Sequence, residues 1–285
     1  DPDTRGTIGA MNAEEPSRLQ ADAVVIGGGP AGLMAAEALA EGGVAVLLFD
    51  AMPSVGRKFL LAGKGGLNLT HGEPLEVFVD RYGERAPQVA RWLETLSPQA
   101  LRDWAAGLGI ETFVGSSGRV FPRDLKAAPL LRAWLHRLRE AGVHFHMRHR
   151  WQGWHAQGAL RFATPDGEVA ITPDAVVLAL GGGSWARLGS DGAWLPLLAT
   201  RGVAIAPLQP ANCGFDAGWS VHLAGRFAGQ PVKPVALSFT DANGVTHRKQ
   251  GEFVVTAHGV EGSLIYAYAA LLRDEITAHG TALIH

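Results

Sequence analysis

Ala23-Val24-Val25-Ile26-Gly27-Gly28-Gly29-Pro30-Ala31-Gly32 is the stretch on which the fold turns. Its four leading apolar residues read as a short buried strand. They run into a G-x-G-x-x-G pattern at Gly27, Gly29 and Gly32. A helical run follows, through Leu33, Met34, Ala35, Ala36, Ala38, Leu39 and Ala40, and Gly42-Gly43 ends it. Residues 44–49 make a second apolar strand that Asp50 closes. Each piece has a physical task in a dinucleotide site. Gly27 permits the tight strand-to-helix turn, Gly29 lets the backbone approach a diphosphate, and Gly32 lets the helix pack closely on the strand. Pro30 and Ala31 open the helix, whose free N–H groups and partial positive charge face that diphosphate. Asp50, 18 residues beyond Gly32, stands where a carboxylate can accept hydrogen bonds from ribose hydroxyls. The alternative is a nucleotide-free βαβ unit whose glycines serve packing alone.

The fingerprint does not separate FAD from a nicotinamide, and the next segment bears on that choice. Gly56-Arg57-Lys58-Phe59-Leu60-Leu61-Ala62-Gly63-Lys64-Gly65-Gly66-Leu67-Asn68-Leu69-Thr70 reads as a glycine-rich cationic loop placed to run along a longer cofactor. Backbone N–H groups in such a loop can face the flavin pyrimidine edge and N5. It is not a P-loop, since no glycine lies five residues before Gly63-Lys64. A solvated connecting loop is the competing reading, although fifteen structureless residues in a compact domain usually have a task. Residues 175–180 then form an apolar strand entering Gly181-Gly182-Gly183-Ser184.

Composition closes off other classes. The chain has 285 residues, 47% of them hydrophobic, enough for one large domain or two ordinary ones. Its 25 basic and 27 acidic residues nearly cancel, and no Lys/Arg run suggests a nucleic-acid surface. Cys213 is the only cysteine, so an internal disulfide, a CxxC redox pair and a dithiol–flavin relay are excluded. No apolar stretch reaches the roughly 18 residues of a membrane span. The polar first twenty residues lack a signal core, so the expectation is a cytoplasmic, bacterial protein. Residues 1–20 read as disordered or artificially appended.

On these residues the chain resembles the BaiN-like (YhiN-type) flavoproteins, a family of NAD(P)/FAD-dependent oxidoreductases related to aminoacetone oxidase. Besides Gly27, Gly29, Pro30, Ala31 and Gly32, the resemblance rests on Gly56-Arg57-Lys58 with Gly65 and Asn68-Leu69-Thr70, and on Gly118-Arg119-Val120-Phe121-Pro122 with Lys126-Ala127. It continues at Gly181-Gly182-Gly183-Ser184 and over residues 251–262. It implies FAD held by Gly27, Gly29, Pro30, Ala31, Gly32, Asp50, Arg57, Lys58, Gly65, Gly66, Asn68, Leu69, Thr70, Gly181, Gly182 and Gly183, with NAD(P)H as a transient donor. Flavoproteins of the two-dinucleotide-domain type resemble the 175–184 segment, with Leu180 here in place of a usual Thr. Where the family has Arg-Cys before Asn-Leu-Thr, this chain has Gly66-Leu67. Family members also continue into a glycine-rich strand and helix that close over the flavin. The expectation is therefore that a further C-terminal segment or a second polypeptide completes the site.

The fold expectation is α/β: a Rossmann-like FAD-binding domain over residues 21–200 and, over 201–285, an inserted β-barrel and helical substrate domain. Residues 87–96 and 98–108 read as amphipathic helices, with Val89, Trp92, Leu93 and Leu96, then Leu101, Trp104, Ala105 and Leu108, facing inward. Residues 129–140 read as a helix and 143–147 as a strand. By resemblance that strand leads toward the adenine pocket. His144, His146 and His149 lack a carboxylate or cysteine at ligand spacing, so the metal expectation is none. Trp151 and Trp154 read as shields of a sheet edge or hairpin. Beyond Arg201, strands are expected at 203–205, 235–239, 245–247 and 253–256, with Asp241-Ala242-Asn243-Gly244 as a hairpin turn and a helix from about Ser263.

His258, in a glycine-flanked loop after a strand, is the candidate catalytic group, able to bond a substrate carbonyl or transfer a proton. A His satisfied by local backbone is the plain alternative. Lys64 and Arg119 could balance an anionic flavin or hold a substrate carboxylate. The expected function is hydride transfer through flavin N5 to or from a small organic substrate, with NAD(P)H or oxygen as second substrate. Two other classes compete: a flavin-binding protein without enzymatic activity, and a serine hydrolase. The latter rests on Gly182-Gly183-Ser184-Trp185-Ala186, which nearly matches a nucleophile elbow at Ser184.

Overall fold

The first strand of the computed structural model, β1 (Ala23–Ile26), is buried along its whole length, as a strand covered on both faces must be. The structure describes residues 21–285 apart from residue 242, so the expectation for residues 1–20 lies outside the described residues. The chain divides into two units that meet in sequence between Ile205 and Ala206.

In the first unit β1 feeds α1 (Pro30–Glu41), which returns to β2 (Val46–Asp50). A long excursion follows: α2 (Arg57–Ala62), β3 (Thr70–His71), α3 (Leu75–Asp80), α4 (Ala86–Thr95), α5 (Pro98–Gly107), β4 (Thr112–Val114) and β5 (Arg119–Pro122). Helix α6 (Ala127–Glu140) then leads to β6 (His144–Met147), an antiparallel meander of β7 (Arg150–Trp154), β8 (Leu160–Thr164) and β9 (Gly167–Ile171), β10 (Ala175–Leu178) and α7 (Trp194–Ala199). The central sheet is parallel, in the order β10-β1-β2-β6. The chain steps from β1 outward through β2 to β6, then returns to β10 on the other side of β1. This reversal makes the carboxyl ends of β1 and β10 a topological switch point, the place where open α/β sheets bind ligands.

Alternation along β1 and β2 assigns the two faces. Val25 and Leu48 join a core with Leu33 and Ala36 of α1 and Leu130, Trp134 and Leu138 of α6. Val24, Ile26 and Phe49 point the other way, into a core with Trp151, Leu160, Phe162 and Ile171 of the meander. Of the two readings given for Trp151 and Trp154, the hairpin one holds, since both lie in the β7–β8 hairpin with Trp151 in its core face; the third strand of the meander has no counterpart in the sequence reading.

The second unit holds β11 (Phe215–Asp216), α8 (Val221–Phe227), β12 (Pro231–Thr240), β13 (Thr246–Val255), β14 (Gly259–Glu261), α9 (Ser263–Tyr266) and α10 (Ala269–His279). Its strands form an antiparallel sheet in the order β11-β14-β13-β12, packed on Leu264, Ile265, Tyr268 and Leu272. The expected barrel takes the form of this open sheet. The hairpin at Asp241 is present, because Asp241 Oδ1 accepts from the N–H groups of Asn243 and Val245 and so builds the turn from its own side chain.

Several local expectations need correction. Residues 57–65 are α2 and one 3₁₀ turn, not open loop, since Phe59, Leu60 and Leu61 supply helix formers the glycines obscured. Trp92 and Leu96 of the 87–96 segment are exposed rather than inward, and only Val89 of α4 is buried. Residues 203–205 form no strand, and the expected strands at 245–247 and 253–256 are parts of one strand, β13.

Candidate functional site

A cavity of about 660 Å³ lies at the switch point, within the size range of small-molecule and cofactor sites. Three segments far apart in sequence form most of it: the glycine turn after β1, the 52–69 stretch through α2, and the 179–190 loop after β10; Leu96, Leu101, Trp104 and Trp134 complete the wall.

At the glycine turn the three fingerprint positions differ in what surrounds them. Gly27 has φ +110°, and a Cβ there would stand 2.1 Å from the Ala179 carbonyl oxygen. A Cβ on Gly32 would meet the Gly27 carbonyl oxygen at 1.8 Å, so close packing of α1 on its own turn requires glycine. Gly29 is the opposite case. It has ordinary φ, nothing within 4 Å of the Cβ position, and lines the cavity. It is also the N-cap of α1, and no side chain caps that helix, so the first-turn N–H groups remain available to a ligand. Pro30, at the first helical position, has no N–H to strand there.

Asp50 ties β2 to this turn. Its Oδ2 accepts from the Gly28 N–H at 2.6 Å and its Oδ1 from the Met52 N–H at 2.7 Å. A carboxylate offers about four lone-pair sites, so two remain for a ligand. Burial raises the Asp50 pKa above the ordinary aspartate value, against the opposing pull of the two N–H groups and of Arg57 and Arg150.

Arg57 and Lys58 start α2 behind Gly56, an N-cap in the left-handed conformation. Arg57 lines the cavity, and its Nε is buried with no hydrogen-bond partner among the described residues. Lys58 reaches across to the far loop, its Nζ donating to Ser184 Oγ at 3.1 Å and Ser190 Oγ at 3.2 Å. Ser190 Oγ in turn donates to the Gly182 carbonyl at 3.0 Å.

The cavity wall therefore gathers Gly27, Gly29, Pro30, Ala31, Asp50, Arg57, Lys58, Asn68, Leu69 and Gly181. Gly32, Gly65, Gly66, Thr70, Gly182 and Gly183 lie outside it; Gly32 supports the turn, Thr70 is in β3, and Gly182 acts through Ser190. His258 lies in the second unit, exposed between β13 and β14, where its carbonyl accepts from the Ala217 N–H at 2.7 Å. Ser184 is exposed, with its hydroxyl on Lys58.

Sequence reading missed Glu37. This buried carboxylate on α1 accepts from Trp104 Nε1 at 3.1 Å, Trp134 Nε1 at 2.6 Å and Arg137 Nη1 at 2.8 Å, joining α1 to α5 and α6. Trp104 and Trp134 are cavity residues, as are Gly28, Met34 and Met52. The signal was Glu37 in the middle of a helix whose only other charge is Glu41 at its end; a carboxylate there, among apolar residues, has to find buried donors.

The uncapped helix end, the open Gly29, the spare Asp50 lone pairs and the cationic Arg57 side chain in the cavity wall together fit a diphosphate-bridged nucleotide.

Comparison with known proteins agrees on the fold family. Residues 21–275 match the HI0933-like protein Rossmann domain. The chain is 28% identical over 245 residues to the 3-dehydro-bile acid delta(4,6)-reductase of Clostridium scindens, a match covering 85% of this chain and 58% of that protein. The chain thus spans well under two thirds of that relative's length. Among solved structures it is similar to the 3-ketosteroid-delta4-(5alpha)-dehydrogenase of Rhodococcus jostii RHA1, at 19% identity and TM-score 0.44 over 61% of this chain and 48% of that one. It is also similar to a flavocytochrome c3 fumarate reductase, at 20% identity and TM-score 0.46 over 59% and 34%. With a match over most of its length, the chain belongs to the family of HI0933-like protein Rossmann domains.

Proposed function

We propose that the chain is the cofactor-binding part of an FAD-dependent oxidoreductase acting on a small organic substrate. The observation that carries this reading is the convergence of the glycine turn, the 52–69 stretch and the 179–190 loop on one cavity. A nicotinamide site of the simple Rossmann kind needs the first of these; the other two extend the wall for a longer ligand. Bound FAD would supply a carrier that accepts a hydride in one half-reaction and gives it up in the other.

The placement of this chain's cavity residues supports the roles assigned to them. The α1 N-terminus and the open Gly29 receive the diphosphate, and Asp50 offers its free lone pairs to ribose hydroxyls. Arg57 supplies a fixed positive charge from the cavity wall, and Asn68 and Leu69 border the ring end. His258 is the proposed proton-transfer group, and NAD(P)H or oxygen the proposed second substrate. The relative named as a 3-dehydro-bile acid reductase indicates the first substrate class to assay, in the reductive direction. A C-terminal segment or a partner polypeptide that completes the flavin site belongs to the same proposal.

The test is an absorption spectrum of the purified chain, with released cofactor identified by mass, followed by titration of FAD into any colourless fraction. Flavin bands and the FAD mass, or saturable quenching of added FAD, support the reading. FAD binding only once the completing C-terminal segment is restored supports the reading in its two-part form, and a folded protein that binds no FAD even then overturns it.

A further inference from the structure

The 181–190 loop forms one wall of the cavity, yet it has little regular structure of its own. Three of its residues adopt the left-handed region: Gly181 at φ +74°, Trp185 at +65° and Gly189 at +93°. Trp185 is the costly one, because a side chain rarely takes that conformation and here half of it faces solvent. Such a backbone persists only where surrounding groups over-determine it. At its ends the loop is held by neighbours in its own part of the chain. Ser190 bonds the Gly182 carbonyl, and the Trp194 indole donates to the Gly181 carbonyl at 3.1 Å.

The remaining fastening comes from Lys58, more than 120 residues away in sequence. Its ammonium bridges Ser184 and Ser190 at once. An ammonium has three donors, and these two bonds use two of them. Both are charge-assisted, and Ser190 is buried, so the contact is screened less than a surface pair would be. Lys58 sits in the first turn of α2, behind a glycine N-cap whose Cβ position is filled by Leu131 of α6. The anchor for the loop is therefore itself seated on the core.

On the reading that the cavity takes FAD, we propose that Lys58 is a positioning residue whose ammonium pins the 181–190 loop in the shape the cofactor meets. Lysine here thus serves a different task from its neighbour Arg57, which makes no bond to Ser184 or Ser190 among the described residues and lines the cavity as a cation.

Limited trypsin digestion of the ligand-free protein tests the pinning directly, since Arg187 is exposed within the loop. Lys58→Met removes both bonds and keeps the aliphatic stem, Lys58→Arg keeps donors for both serines, and Ser190→Ala removes the buried acceptor from the other side. Cleavage after Arg187 should accelerate about tenfold in Lys58→Met and in Ser190→Ala, with cleavage at Arg161 in β8 unchanged, and Lys58→Arg should stay near the wild-type rate. FAD affinity, read by flavin fluorescence quenching, should weaken about tenfold in the same two variants. Wild-type cleavage at Arg187 in Lys58→Met overturns the proposal. So does faster cleavage at every site alike, which marks global destabilisation, and so does loosening of the loop without loss of FAD affinity. If the protein binds no FAD even with the completing segment restored, the functional reading falls, and the trypsin comparison alone decides whether Lys58 holds the loop.

Discussion

The Trp134 indole donates a 2.6 Å hydrogen bond to the carboxylate of Glu37, two residues separated by 97 positions and both almost wholly buried. Trp104 and Arg137 donate to the same carboxylate, so its acceptors are well used. Removing the acceptor strands these donors in the interior. Glu37→Ala should therefore cost about 3 kcal/mol, the usual scale for breaking one side of a buried ionic network. Glu37→Gln keeps one carbonyl acceptor and the shape, and should cost about half as much. Urea unfolding measures both, and an alanine variant within about 0.5 kcal/mol of wild type would show that the network holds nothing.

The three fingerprint glycines should separate by experiment as they do by geometry. Alanine at Gly32 drives a methyl into the turn's own Gly27 oxygen, and alanine at Gly27 drives one into the Ala179 oxygen at the end of the paired strand β10, so relief of either clash has to shift backbone. Both variants should lose several kcal/mol or fail to fold. Gly29→Ala meets no atom and has a backbone conformation open to alanine. It should fold with wild-type stability, yet place a methyl where a diphosphate would approach and weaken FAD binding by at least about tenfold. A Gly29→Ala variant with unchanged FAD affinity would remove the diphosphate from that end of the cavity.

Asp50 gives a pH signature whose sign is fixed by burial. Its folded-state pKa lies above the ordinary 3.8, so the unfolded chain releases this proton first. Between the two values the folded state binds more protons, and Asp50 stabilises the fold less as pH rises. The loss begins at the ordinary aspartate value and is complete once pH passes the raised one. Asp50→Asn does not titrate. The stability difference between wild type and this variant should therefore shift against wild type across that window and stay constant above it. Urea unfolding of both proteins from about pH 3.5 upward measures the shift, and parallel curves would mean that the carboxylate is not perturbed.

What the sequence disclosed followed from how local each signal is. The β1 turn, α1 and Asp50 were legible because a strand, a glycine turn and a helix are specified by neighbouring residues. Lys58 could be placed beside a cofactor by its motif, but its bonds to Ser184 and Ser190 span the fold and leave no trace in spacing. Glu37 left half a signal, a charge on an apolar helix, without naming Trp134 or Arg137. The β7–β9 meander was hidden because Trp151, Trp154 and Gly153 interrupt the alternation, and the ladder itself is irregular between Trp151 and Trp154. The inward face assigned to α4 failed because its amphipathic pattern fixes a stripe and does not fix what covers it: Trp92 is 70% exposed.

His146 provides the opposite pH signature from Asp50, on the same sheet. Its ring stacks on Phe49 at 4.6 Å, and burial lowers its pKa below the ordinary 6.5, with His149 and His144 adding like-charge repulsion. The folded state thus holds this imidazole neutral while the unfolded chain takes up a proton. Stability contributed by the neutral ring is present above the ordinary histidine value and is lost as pH falls from 6.5 through the lowered folded value. His146→Phe keeps a ring on Phe49 and cannot charge. It should match wild type within about 1 kcal/mol at about pH 8, and become the more stable of the two at about pH 5.5. His149 and His144 remain in both proteins, so the difference reports the charging of position 146 together with its repulsion of these two neighbours. Unfolding curves that keep the same separation at both pH values would show that His146 charges freely in the folded protein.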